Sequence, residues 1–95
     1  MLKYLVGLDM EFYPDDYLPV YQEIVIGANS EDEAADKAKK ILYKYFSNLD
    51  NLKKVSSFSC YSVPQYTIEV TGIQLLPEDC NLENYIDESD YNVLI

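Results

Sequence analysis

The chain has 95 residues, 48% of them hydrophobic, which suits one compact domain around one core and is too short for two. Seventeen Asp and Glu face seven Lys, with no Arg and no His, for a net charge of −10, and this balance excludes direct binding to a phosphate backbone or an anionic membrane surface, both of which need clustered cations. Without His and Arg, and with only three Gly, the chain lacks imidazole catalysis, His-bound zinc, guanidinium clamps and glycine-rich phosphate loops, so a non-enzymatic protein without cofactor or resident metal is expected. The N-terminal run MLKYLVGLDMEF is broken by Asp9 and has no small-residue cleavage site, so it does not read as a secretory signal. With no long apolar stretch anywhere, a cytoplasmic protein is expected, with Cys60 and Cys80 as free thiols.

Residues 4–13 alternate, with Tyr4, Val6, Leu8, Met10 and Phe12 on one face and Leu5, Gly7, Asp9, Glu11 and Tyr13 on the other, the period of a half-buried strand. Pro14, Asp15, Asp16 and Pro19 mark a turn. Residues 20–28 then form a second strand, antiparallel to the first, with Val20, Ile24, Ile26 and Ala28 inward. Ser30-Glu31-Asp32-Glu33 fits a capping box, in which the serine takes the Glu33 amide proton and Glu33 reaches back to the Ser30 amide. Apolar residues at helical spacing follow, predicting a helix over 31–48 with acids in its first turns and lysines later, in accord with its dipole. After a polar connection at 48–54, residues 55–63 read as a strand that Pro64 interrupts. Residues 65–76 read as a fourth strand, or as the third continued past a bend. The order β-β-α-β-β predicts an α+β fold: an antiparallel sheet with one amphipathic helix on one face, forming a single domain over 1–76. Residues 77–95 form an acidic C-terminal segment, partly docked on that domain, with a short helical turn around Leu82, Tyr85 and Ile86 and a closing strand at 93–95.

The charge is unevenly placed. Asp9, Glu11, Asp15, Asp16 and Glu23 put −5 on the first hairpin; Glu78, Asp79, Glu83, Asp87, Glu88 and Asp90 put −6 on the C-terminal segment, and the rest sums to +1. Carboxylates two residues apart on a strand, as in Asp9 and Glu11, lie about 6.5 to 7 Å apart. Two phosphate steps of about 3.4 Å along one nucleic-acid strand cover a similar distance. Of the ten tyrosines, Tyr4, Tyr43, Tyr45 and Tyr66 fall at core positions. Tyr13, Tyr17, Tyr21, Tyr85 and Tyr91 sit among the acids, where an aromatic with a polar tip suits a binding surface. The expected partner-binding residues are therefore the eleven acids of the two zones with Tyr13, Tyr17, Tyr21 and Tyr85. Residues 87–92 echo the start of a calcium loop but lack the glycine and the bidentate glutamate that such a loop needs, so no metal is expected there.

The stretch EIVIGANSEDEAADKA, at 23–38, resembles the strand-to-helix turn of many small phage and mobile-element proteins. In size, acidity and lysine-without-arginine composition the chain is similar to phage-encoded anti-CRISPR and anti-restriction proteins, several of which mimic nucleic acid. The resemblance implies an inhibitor of a basic, nucleic-acid-binding host protein such as a CRISPR effector, acting in the host cytoplasm. The turn also resembles that of antitoxins of the HicB type, which would imply an RNase toxin as target. A self-associating assembly module, pairing through an exposed sheet edge as a homodimer, is the alternative of another class.

Overall fold

The computed structural model describes residues 1–13, 19–55, 58 and 63–91. Strands β1 (Leu2–Tyr13) and β2 (Val20–Ala28) precede helix α1 (Glu31–Phe46), a short helix α2 (Leu49–Lys53) and strand β3 (Gln65–Leu75). Two single-turn 3-10 segments, Leu82–Asn84 and Glu88–Tyr91, follow. The strands form one antiparallel sheet in the order β2-β1-β3. The fold is α+β, as the patterning predicts, but the sheet has three strands among the described residues and not four. Leu49 and Leu52 of the supposed connection fall one helical turn apart, and Asn48 caps the turn they share by accepting the Asp50 N–H at 2.8 Å. Of the strand expected over 55–63, Ser56, Ser57, Ser59, Cys60, Tyr61 and Ser62 lie outside the described residues, while Val55, Phe58 and Val63 take no part in the sheet. The closing strand expected at 93–95 also lies outside them.

The core forms where the period of two meets the helical stripe. Tyr4, Val6, Leu8, Met10 and Phe12 of β1 all point to the covered face. Ile24, Ile26 and Ala28 of β2 and Ile68 of β3 join them beneath Ala34, Ala38, Ile41, Leu42 and Phe46 of α1. Leu52 of α2 closes one end. A bulge in β3 keeps its own apolar residues on this side. Gly7 pairs with Gly72 but Leu8 pairs with Val70, which leaves Thr71 as the extra residue. Val70 and Ile73, three apart and therefore on opposite faces of a regular strand, both reach the core as a result.

The helix starts where the sequence says it does. Ser30 is extended (φ −154°, ψ 165°) and its hydroxyl accepts the Glu33 N–H at 3.1 Å. Glu33 reaches back one residue further than expected, to the Asn29 N–H at 3.2 Å. The helix ends at Phe46 with Ser47 as its cap, two residues short of the expected Asn48. Replacing Ser30 by Ala is expected to cost about 1 kcal/mol, read as a fall in melting temperature of roughly 4 to 8 °C; an unchanged melting temperature would contradict this cap.

Side chains of α1 tie it to the sheet at both ends. At one, the Lys37 ammonium donates to the Gly27 carbonyl at 2.6 Å. At the other, the Tyr43 hydroxyl accepts the Ile68 N–H of β3 at 2.8 Å, and its ring stacks on Tyr66 with centroids 5.9 Å apart. Asp36 and Lys40 form the expected pair at 2.9 Å, but both are well exposed, so its contribution is small. The sheet's length governs the overall shape, 46 × 22 × 22 Å. No helix among the described residues is long and apolar enough to cross a membrane.

Candidate interaction surface

Because α1 covers one face of the sheet, the odd-numbered residues of β1 and their partners line the other. Asp9 sits at the middle of this open face, paired with Tyr21 of β2 on one side and Glu69 of β3 on the other. Glu11 lies two residues along, opposite Thr67, and Glu23 stands opposite Gly7. Directly opposed side chains in an antiparallel pair have Cβ atoms about 4.5 to 5.5 Å apart, and like charges so placed repel. The four carboxylates thus form one patch, and no described cation is ion-paired with any of them. Lys3 shares the face but lies six residues from Asp9, about 20 Å along the strand.

Tyrosines border the patch. Tyr13 and Tyr21 are 47% and 56% exposed, the most accessible phenols of the described residues. The Tyr21 ring bends back over Gly7, where a Cβ would meet the ring carbons at 3.0 and 3.2 Å and collide with the hydroxyl. Desolvation of the phenol, then the Glu23 carboxylate by charge and hydrogen bonding, then the Asp9 charge, hold its pKa above the ordinary tyrosine value.

The sequence-derived residues therefore divide. Asp9, Glu11, Tyr13, Tyr21 and Glu23 converge on the open face; Asp15, Asp16 and Tyr17 lie outside the described residues. Glu69 joins those on the open face, a residue the sequence does not single out. Its outward direction follows from the inward Ile68 and Val70, but its place beside Asp9 depends on β3 pairing with β1, which no local pattern reveals.

The acids of the C-terminal segment are engaged differently. Ile86 and Asp87 run along the outer edge of β2, where the Val25 N–H donates to the Ile86 carbonyl at 2.8 Å and Val25 forms a parallel bridge with Asp87. Val25 itself, an odd-numbered residue of β2 beside Leu5, is fully buried. Asp87 accepts the Ser89 N–H at 3.0 Å and Asp90 accepts the Asp87 N–H at 2.7 Å, so both carboxylates hold their own turn. Glu88 lies 3.9 Å from the Lys37 ammonium. Glu78, Asp79 and Glu83 remain exposed, and Tyr85 is half-buried.

Tyr91 departs from its expected place on the acidic surface. It is 7% exposed, packs edge-on against Tyr45 with centroids 5.0 Å apart, and directs its hydroxyl to Gln22 at 3.4 Å. Burial, then the neighbouring Tyr45 and Asp90, push its pKa up to about 12. Folding favours the neutral phenol, so the stability it contributes is intact below pH 10 and is lost as the pH rises through about 12. An alkaline titration followed by phenolate absorbance is expected to show a last-ionising tyrosine coupled to unfolding, later than the raised Tyr21 and Tyr66, and Tyr91→Phe to remove that last step. Ionisation of every phenol near pH 10 in the folded protein would contradict this placement.

Searched against family models, curated proteins and solved structures, the chain matches none of them.

Proposed function

We propose that the chain is a non-enzymatic inhibitor that lays its open sheet face into the basic nucleic-acid groove of another protein and so keeps nucleic acid out. The observation that carries this reading is the placement of Asp9 directly opposite Glu69, flanked by Glu11 and Glu23 and with no described cation among them. An arrangement that costs the folded chain stability is offset when a partner's lysines and arginines neutralise it. Spacings of about 5 Å across strands and about 7 Å along them suit a groove built for phosphates. Exposed Tyr13 and Tyr21 at the border supply the rigid aromatic contacts that charge alone lacks.

A phage-encoded inhibitor of a CRISPR effector or comparable defence nuclease, acting in the host cytoplasm, is the biological setting that this chemistry and composition favour. The test is capture of partners from bacterial lysate on the immobilised chain, followed by elution with duplex DNA. A nucleic-acid-binding protein that DNA displaces, and that salt releases between about 0.1 and 0.5 M, is expected. Partners with no nucleic-acid site, or binding indifferent to that salt range, would overturn the reading.

A further inference from the structure

Beside the Asp9 row, the open face is interrupted by a depression of about 240 Å³, lined by Tyr21, Glu23, Leu5 and Gln74 around the two glycines Gly7 and Gly72. Its floor is low because Gly7 and Gly72 stand directly opposite each other on β1 and β3. The two glycines differ in what requires them. Gly7 lies under the Tyr21 ring, so a side chain there would displace the wall. At Gly72 a Cβ would meet nothing within 4 Å, and the backbone is not in the left-handed region. No packing contact and no left-handed φ calls for glycine at 72, whose only backbone peculiarity is its place beside the Thr71 bulge. What its missing side chain does is keep the depression open.

We propose that this depression receives a single arginine side chain from an extended segment of the protein partner that docks on the acidic face. The inference rests on the function proposed above and specifies how that face reads its partner. The volume is below the roughly 300 to 1,000 Å³ of small-molecule pockets and fits one side chain. A planar guanidinium stacks on the Tyr21 ring and makes paired hydrogen bonds to the Glu23 carboxylate, while its methylenes lie against Leu5. An ammonium matches the charge but not the plane, so arginine is preferred over lysine. Asp9, Glu11 and Glu69, in the adjoining rows, meet the neighbouring cations of the same segment.

The experiment is an amide NMR titration of the full chain with an arginine–glycine repeat peptide, its citrulline counterpart and spermidine. The arginine peptide is expected to shift the amides of Gly7, Tyr21, Glu23 and Gly72 and the citrulline peptide to leave them in place. Gly72→Val, which fills the floor, is expected to weaken binding about tenfold while leaving the melting temperature unchanged or higher. Tyr21→Ala, which removes the wall without adding a group, is expected to weaken it similarly. Binding that survives both substitutions but is lost when Asp9 and Glu69 are neutralised would overturn the arginine receptacle and leave the acidic-face reading standing. Binding indifferent to all of these changes would overturn both. Equal affinity and identical shifts with spermidine would make this a polyamine site and overturn a protein-borne arginine.

Discussion

Leu42→Ala is expected to cost about 2 to 5 kcal/mol of folding stability. Leu42 is fully buried on the inward face of α1, among side chains from the strands beneath it. Alanine is the best helix former, so the substitution leaves helix propensity intact and removes only packing: the transfer energy of the lost methyl groups and a cavity that the sheet cannot close. A small domain has roughly 5 to 15 kcal/mol in total, so a loss near 3 kcal/mol is a large share of it. That loss corresponds to a melting temperature about 12 to 24 °C lower in a chain of this size. Urea denaturation with an unchanged slope and a lower midpoint is the expected record. A change below about 1 kcal/mol would mean that α1 does not cover the sheet as described.

The paired substitution Asp9→Asn with Glu69→Gln is expected to move stability and binding in opposite directions. Relief of the directly opposed charges raises stability by about 0.5 kcal/mol. For the partner's cations, the same change removes two of the four carboxylates that meet them. Binding to an arginine–glycine repeat peptide is expected to fall about 30-fold or more, equivalent to about 2 kcal/mol. The control Asp36→Asn with Asp50→Asn removes the same charge from the helices, away from the sheet face, and is expected to change binding less than about twofold, as long-range screening dictates. Denaturation and peptide titration on the parent chain and the two double variants give both readouts. If the helix control weakens binding as much as the sheet pair, attraction is a matter of net charge and the open face has no special role. If the sheet pair loses stability as well, the acids serve the fold rather than a partner.

How far the sequence discloses this molecule depends on the distance over which each feature is determined. The alternation from Tyr4 to Phe12 and the serine cap at Ser30 are local, and both are found where their residues put them. Helix α2 escapes because five residues make a single turn, too short for a hydrophobic period to register. The bulge at Thr71 escapes because nothing in the strand's own composition says which residue its neighbour skips. The candidate surface shows the same division: Asp9 and Glu11 are legible as outward-facing, and Glu23 and Tyr21 follow from the hairpin. Glu69, some sixty residues from Asp9 in the chain, becomes its neighbour only through the β1–β3 pairing. Tyr91 is illegible for the converse reason, since its acidic sequence neighbours conceal its packing against Tyr45, which packs in turn against Phe46.

The hydroxyl of Tyr43 on the Ile68 amide has a meaning for the chain in a crowded cell. A sheet with one bare rim invites strand after strand to add to it, the route by which small β proteins become fibrils. The C-terminal segment occupies part of the rim at β2, and at β3 the tyrosine takes the amide donor of Ile68, the fourth residue of the strand. An intruder must evict a phenol that is stacked on Tyr66 before it can zip along the edge. The rim is thereby interrupted at Ile68, and a strand that adds along β3 has to break this contact before it can pair past that point.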